Sequence, residues 1–127
     1  MTLDRLAPML LAHNLDETIA FYTEGLGFTL ESTLDDPPTW CSLRRDEVNL
    51  MFVWEGEHDH APGDEHNHPE LGLPGVLYVY PSEVQDLYDE VKDRVEICEE
   101  LGVRPHGMIE FAVLDPNGYR LRFGGDA

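Results

Sequence analysis

The order of hydrophobic and polar residues predicts a strand, a helix and three further strands in the first 54 residues. An apolar run over Arg5–His13 is typical of a short buried strand. Asn14, with Glu17 three residues later, indicates a helix start, and apolar residues then recur at helical spacing until Gly25. Three strands bounded by turn residues follow, over Phe28–Leu34, Thr39–Leu43 and Val48–Trp54.

The second half of the chain repeats this order. A strand is predicted over Val76–Tyr80, and Ser82 with Gln85 forms a second capping pair ahead of a helical pattern. The remaining predicted strands are a less regular one within Val95–Val103, then Met108–Leu114 and Tyr119–Phe123, which form a hairpin across Asp115–Gly118. The closing strands of the two halves align at an offset of 71 residues, which indicates an internal duplication.

Length and composition set the expected organisation. A chain of 127 residues, 42% of them hydrophobic, has room for one continuous core. We expect a single domain over 1–127, made of a module at 1–54, a connecting loop at 55–75 and a module at 76–127. No long apolar stretch and no leader pattern occur, so a cytoplasmic protein is expected. Cys41 and Cys98 are interpreted as reduced thiols, with a disulfide between them as the alternative.

The charge is strongly acidic, and it excludes whole classes of partner. There are 26 acidic and 8 basic residues, a formal net charge of −18, and Lys92 is the only lysine. Such a chain repels nucleic acids and anionic membranes. The acidity has two interpretations, which are steering of a cationic ligand and solubility in a salty cytoplasm.

Three segments resemble the vicinal-oxygen-chelate superfamily, which includes glyoxalases, bleomycin-resistance proteins and extradiol dioxygenases. These are Leu10–Phe28 (LLAHNLDETIAFYTEGLGF), Val48–Trp54 (VNLMFVW) and Met108–Gly124 (MIEFAVLDPNGYRLRFG). The resemblance implies an α+β fold in which two βαβββ modules form a curved mixed sheet with helices on its convex side. It also implies a homodimer.

The same resemblance implies where a metal would bind. Metal-dependent members hold it on the first and last strands of each module, and the matching residues here are Ala7, Met51, Val76 and Arg122. These side chains cannot supply the imidazole and carboxylate donors that a divalent metal needs. We therefore expect no cofactor, as in the metal-free bleomycin-resistance branch.

Strand alternation predicts a ligand pocket on the concave face. Turns of four residues in both hairpins would place Met51 opposite Trp40 and Arg122 opposite Phe111. Glu110, a possible general base, would lie opposite Phe123 and point away. The predicted pocket residues are Trp40, Asn49, Met51, Tyr78, Tyr80, Phe111 and Arg122. The alternative is that these side chains fill the cavity as ordinary core.

The connecting loop contains two pairs of histidines. In an extended chain His58 with His60, and His66 with His68, would each face one way and could chelate a metal, but the favoured interpretation is a solvated acidic loop. The favoured hypothesis is a metal-independent binding protein for an aromatic or cationic small molecule. One alternative is a metal-dependent lyase, isomerase or dioxygenase with non-standard ligands. Another is an interaction module whose pocket is filled by its own side chains.

Overall fold

The computed structural model describes residues 1–56 and 76–127. The chain divides into two compact units, Met1–Glu70 and Leu71–Ala127, and each carries a four-stranded mixed sheet. The predicted α+β fold of two βαβββ modules is therefore confirmed. The organisation as one domain, with a loop at 55–75, stays a prediction.

Unit one has its strands in the order β1-β4-β3-β2, and β1 runs parallel to β4. Its elements are β1 Met9–Ala12, α1 Leu15–Ala20, a π-helical turn Phe21–Gly25, β2 Thr29–Leu34, β3 Trp40–Arg45 and β4 Val48–Trp54. The first strand is shorter than the predicted Arg5–His13. It begins after Pro8, which has no amide hydrogen for the ladder, although its carbonyl accepts a bond from the Met51 amide at 3.0 Å.

The start of α1 is as predicted. Asn14 has an extended backbone, and its side-chain oxygen accepts a hydrogen bond from the Glu17 amide at 3.0 Å. The π-helical turn that follows buries Tyr22 completely. The Tyr22 ring lies 5.5 Å from Phe28 and 5.2 Å from Phe52, so this face of sheet one forms the core of the unit.

Unit two has its strands in the order β5-β8-β7-β6, with β5 parallel to β8. Its elements are β5 Leu77–Val79, α2 Val84–Val91, β6 Ile97–Val103, β7 Met108–Leu114 and β8 Arg120–Asp126. The predicted capping pair of Ser82 and Gln85 is wrong, because the N-cap residue is Glu83 and its side chain makes no capping bond. Gln85 instead donates to Asp89 at 3.2 Å, one turn along the helix.

Helix α2 covers one face of sheet two. Val84 and Val91 are buried beneath it, and the Tyr88 ring meets Phe111 edge-on at 5.1 Å. Phe111 in turn stacks on Phe123 at 5.1 Å, so this face holds the core of unit two. Neither this helix nor any other in the described residues is long and apolar enough to cross a membrane.

The hairpin of unit one turns in two residues and not in the predicted four. Arg45 pairs with Val48, and Asp46 takes a left-handed φ of 52° between them. Met51 therefore lies opposite Ser42, and the predicted pairing with Trp40 is wrong. A shift of two residues leaves every side chain on its predicted face, because strands alternate with a period of two.

The hairpin of unit two differs from its prediction by one residue. Leu114 pairs with Arg120, because the Asp115 carboxylate accepts hydrogen bonds from the amides of Asn117 at 2.9 Å and Tyr119 at 2.8 Å. The Asp115 amide also donates to the Tyr119 carbonyl at 2.9 Å, so the loop itself is the three residues 116–118. Gly118 supplies the left-handed φ of 91° that such a loop requires. A shift of one residue exchanges the two faces of β7 relative to β8.

Both cysteines are free thiols, as interpreted from the sequence. Cys41 is fully buried on the core side of sheet one, and burial raises the pKa of its thiol to about 11. It therefore stays protonated and poorly nucleophilic at neutral pH.

Candidate functional site

Each sheet has a face that points away from its helix, and we call these the first and second open faces. The first open face is defined by three facing pairs of β3 and β4, which are Trp40 with Val53, Ser42 with Met51, and Arg44 with Asn49. The opposite face carries Cys41, Leu43, Leu50 and Phe52, all buried. The predicted site residues Trp40, Asn49 and Met51 therefore share one face, as expected.

A chain of hydrogen bonds crosses the first open face. The Asn49 amide donates to the Ser42 hydroxyl at 2.9 Å, and Ser42 donates to the Glu31 carboxylate at 3.2 Å. Arg44 donates to the other oxygen of Glu31 at 2.9 Å and lowers the pKa of that carboxyl. Glu31 reaches both partners because it sits at the irregularity in the pairing of β2 with β3.

The chain of bonds ends at a buried acceptor. Asn49 is only 5% exposed, and its nitrogen also donates to the Leu43 carbonyl at 2.9 Å. That carbonyl can only accept, so the orientation of the amide is fixed. Its oxygen, Oδ1, has no partner among the described residues. The first open face thus contains a buried hydrogen-bond acceptor that no described residue satisfies.

The second open face belongs to unit two and is mostly charged. Strand pairing sets Tyr78 beside Arg122, Ala112 opposite Arg122, and Glu110 opposite Gly124. Glu99 pairs with Ala112 and joins the same face from β6. The predicted site residues Tyr78 and Arg122 are therefore neighbours.

Glu110 is the centre of this face. It is 2% exposed and accepts a hydrogen bond from the Tyr78 hydroxyl. His106 Nε2 lies 3.2 Å from its Oε2, and Arg104 Nε lies 3.9 Å from its Oε1. The bond from Tyr78, followed by that from His106, lowers the pKa of Glu110, and the carboxylate in turn raises the pKa of Tyr78 to about 12. Such a carboxylate is ionised at neutral pH and is a weak base.

Arg122 pairs with Glu99 and not with Glu110. One terminal nitrogen of its guanidinium donates to the Glu99 carboxylate, which keeps 37% of its side chain exposed. Its Nε is buried, and no atom of the described residues accepts a hydrogen bond from it. The second open face thus contains a buried hydrogen-bond donor that no described residue satisfies.

Gly124 makes room for the Tyr78 ring. A β-carbon at this position would overlap the Tyr78 hydroxyl oxygen and would lie 2.9 Å from Glu110 Cγ. The absence of a side chain at Gly124 therefore allows the tyrosine to reach the buried carboxylate.

Two face assignments from the sequence are wrong. Phe111 is fully buried on the helix side of sheet two, and Glu110 is on the open face. Both errors follow from the three-residue loop, which shifts the register by one. Tyr80 follows β5 and is 74% exposed, with its ring 4.9 Å from that of Tyr78. The sequence feature that indicates Glu110 as a site residue is an acidic side chain within the otherwise apolar strand MIEFAVL.

The residues at the metal-binding positions of the superfamily do not fit a divalent metal. Ala7 and Val76 precede their strands, and the pairing places Met9 beside Met51 and Tyr78 beside Arg122. Thioether, phenol and guanidinium groups are not the donors that zinc or other divalent ions take. The described residues contain no group of three or more His, Cys, Asp or Glu that could hold a metal. The predicted loop ligands His58, His60, His66 and His68 lie outside the described residues.

Several solved structures share this fold at low identity. TioX from Micromonospora sp. ML1 is 16% identical with a TM-score of 0.73, covering 98% of this chain and 99% of its own. A glyoxalase/bleomycin resistance protein/dioxygenase from Alicyclobacillus acidocaldarius is 20% identical with a TM-score of 0.72, covering 95% and 89%. The bleomycin-binding protein of Streptomyces verticillus, solved with copper(II)-bleomycin, is 20% identical with a TM-score of 0.69, covering 97% and 96%.

The sequence itself gives the family. No curated protein matches the chain significantly. The family model described as Glyoxalase/Bleomycin resistance protein/Dioxygenase superfamily matches residues 2–123. The chain therefore belongs to this superfamily.

Proposed function

We propose that this protein binds an aromatic or cationic small molecule on its open faces, without a metal cofactor. The observation that carries the proposal is that each open face buries one polar atom with no partner in the described residues, Asn49 Oδ1 and Arg122 Nε. A buried, unsatisfied polar group costs about 1–3 kcal/mol. Both atoms have almost no accessible surface, so a ligand that supplies the missing donor or acceptor must displace neighbouring side chains, and in doing so it removes this cost.

The aromatic residues support the proposed ligand class. Trp40 is half-buried on the first open face, and the Tyr78 and Tyr80 rings lie 4.9 Å apart in unit two. Rings that are only partly buried stack on planar ligands and on cations. The net charge of −18 also favours a cation over an anion. Membership of a superfamily that includes the bleomycin-binding protein of Streptomyces verticillus agrees with a binding role.

The donor chemistry supports independence from metal. Met9 faces Met51 in the parallel strand pair of unit one, and Tyr78 faces Arg122 in that of unit two. None of these side chains suits a hard divalent ion. Glu110 does not support a role as a catalytic base either, because its hydrogen bonds lower its pKa and already engage its carboxylate oxygens. The alternative of a metal-dependent lyase, isomerase or dioxygenase thus has no set of side chains to support it in the described part of the chain.

We also propose that the protein forms a homodimer. Strand β1 is at the edge of sheet one, and its residues Met9 and Leu11 are 57% and 46% exposed. Exposed apolar residues on an edge strand are often covered by a second chain. Sedimentation at micromolar concentration and moderate salt should give a dimer, and a monomer under these conditions would contradict the proposal. Moderate salt is needed to screen the repulsion between acidic chains.

The binding proposal is tested by calorimetric titration of chelator-treated protein with metal-free bleomycin and with acridine orange, a planar aromatic cation. At least one probe should bind, and the chelator should not change its affinity. Asn49→Leu or Arg122→Met should weaken this binding about tenfold, the effect of one buried hydrogen bond. Arg94→Met, which removes an exposed charge near α2, is the matched control and should leave binding unchanged.

Three outcomes would contradict the proposal. The protein could bind neither probe, or bind only after one equivalent of zinc is added. In the third, all three variants would weaken binding equally, which would indicate a general effect of substitution and not the loss of a hydrogen bond on an open face. If Asn49→Leu also stabilised a protein that binds neither probe, the interaction-module alternative would be favoured.

A further inference from the structure

We propose that unit one has a second, separate binding site, a cleft that takes a small organic ammonium ion. The cleft has a volume of about 200 Å³, and its lining includes His13, Asp16, Pro37, Pro38, Thr39 and Trp54. Trp54 pairs with Ala12, whose side chain is buried on the helix side of sheet one. The cleft therefore lies on the opposite side of the sheet from the first open face.

The aromatic wall of the cleft is a tryptophan that the fold leaves partly uncovered. Trp54 is 37% exposed, whereas Leu50 and Phe52, on the same side of β4, are 4% and 0% exposed. The other wall is formed by Pro37 and Pro38 in the turn between β2 and β3. An indole face that remains accessible is the strongest side-chain partner for an organic cation.

The two walls are fixed to each other by the backbone. The Trp54 amide donates to the Thr39 carbonyl at 2.8 Å, and the Thr39 amide donates to the Leu34 carbonyl at 3.0 Å. The Thr39 hydroxyl also donates to the Asp35 carboxylate, which closes the turn on itself. The cleft is thus formed before a ligand arrives, and little conformational entropy is lost on binding.

The charges around the cleft select a cation. His13 Nδ1 lies 2.8 Å from Glu55 Oε1, whose side chain is 8% exposed, and the Asp16 carboxylate is part of the lining. These three groups together are negative whether His13 is neutral or protonated. The described lining contains no lysine or arginine. An anion at the start of α1 would meet the carboxylates of Asp16 and Glu17 in the first helical turn.

The size of the cleft limits the ligand to a small head group. The volume of the cleft is about 200 Å³. This is smaller than the pockets that enclose drug-sized ligands. A trimethylammonium group or a short alkylammonium fits these dimensions, and its charge is matched by the carboxylate of Asp16.

The test is a titration of ¹⁵N-labelled protein with choline, followed through the two tryptophan indole resonances in the NMR spectrum. Ionic strength is held constant with sodium chloride. Choline should shift the Trp54 resonance in a saturable way, with a dissociation constant on the order of 1 mM, and should leave Trp40 in place. The uncharged isostere 3,3-dimethyl-1-butanol should bind at least about fivefold more weakly, because it lacks the cation. Trp54→Phe identifies the two resonances.

Asp16→Asn should weaken choline binding about fivefold, and Glu17→Gln is its matched control. Glu17→Gln removes the same charge one residue along α1, outside the lining of the cleft, and should leave the affinity within about twofold of the parent. The proposal is overturned by a Trp54 resonance that does not move or does not saturate. Equal binding of the uncharged alcohol, or equal effects of the two variants, would also overturn it. A saturable shift of Trp40 alone would place the cation on the first open face.

Discussion

The Tyr78 hydroxyl donates a hydrogen bond to the buried carboxylate of Glu110, from β5 across β8 to β7. Each residue changes the acidity of the other. The bond favours ionised Glu110 and lowers its pKa, and it favours protonated Tyr78 and raises that pKa to about 12. Because the two shifts have opposite signs, they predict losses of stability at opposite ends of the pH range.

Tyr78→Phe should change the alkaline limb of the stability curve. The raised pKa of Tyr78 contributes stability that is present below the usual tyrosine value of about 10 and is lost as pH rises to about 12. From pH 10 to 12 the free energy of unfolding of the parent should therefore fall more steeply than that of Tyr78→Phe. Denaturant titrations of both proteins at fixed pH steps measure this difference in slope. Parallel curves for Tyr78→Phe and the parent would refute the prediction.

Glu110→Gln should destabilise the protein at pH 7 by about 1–3 kcal/mol, because it removes a buried charge acceptor from its donors. The lowered pKa of Glu110 contributes stability that is present above its usual value of 4.5 and is lost as pH falls through the folded-state pKa. The difference in free energy of unfolding between the parent and Glu110→Gln should therefore become smaller as the pH falls into the acid range. Glu96→Gln, a change at an exposed residue, is the control and should cost little at pH 7. A difference for Glu110→Gln that persists undiminished in strong acid would contradict this account.

Arg122→Met should leave the fold nearly as stable as the parent. Glu99, its ion-pair partner, is 37% exposed and can be solvated by water once the guanidinium is gone. The expected cost is below about 1 kcal/mol, as for exposed pairs. A double-mutant cycle with Glu99→Gln, measured by denaturant unfolding at matched salt, gives the coupling energy. A cost of about 3–5 kcal/mol would instead indicate a buried pair whose carboxylate had lost its partner.

Phe111→Ala and Trp40→Ala should have different effects, because the two residues lie in different environments. Phe111 is fully buried between Tyr88 and Phe123, so its truncation should cost about 3–5 kcal/mol. Trp40 is half-buried on the first open face, so its truncation should cost less stability and more affinity for the bound probe. Denaturant unfolding and calorimetry on both variants separate these effects. Equal stability costs would argue that Trp40 is ordinary core.

Hydrophobic periodicity was sufficient to predict the order of elements and the faces of unit one. Trp40, Asn49 and Met51 share a face in the structure, although the turn before Val48 is two residues shorter than predicted. An error of two residues in loop length does not change which face each side chain is on, because side chains alternate along a strand with a period of two. The faces of such a hairpin are therefore predictable even when the turn is not.

The faces of β7 in unit two could not be predicted from alternation alone, because they depend on one carboxylate. Asp115 binds the amides of Asn117 and Tyr119 and closes a loop of three residues. The predicted register of β7 was therefore wrong by one residue, an odd number. As a result Phe111 lies in the core and Glu110 on the open face, the reverse of the prediction. A glycine at position 118, with its left-handed backbone, is the sequence signal for this loop type.

The close contact between Gly124 and Tyr78 means that substitutions at these two positions depend on each other. A β-carbon at position 124 would overlap the Tyr78 hydroxyl oxygen, so replacement of the glycine requires the tyrosine to be replaced or to move away from Glu110. The tyrosine can be replaced first, because a smaller residue at position 78 leaves the glycine in place. Related chains that have replaced Gly124 should therefore have replaced Tyr78 as well, or should no longer join this tyrosine to the buried carboxylate.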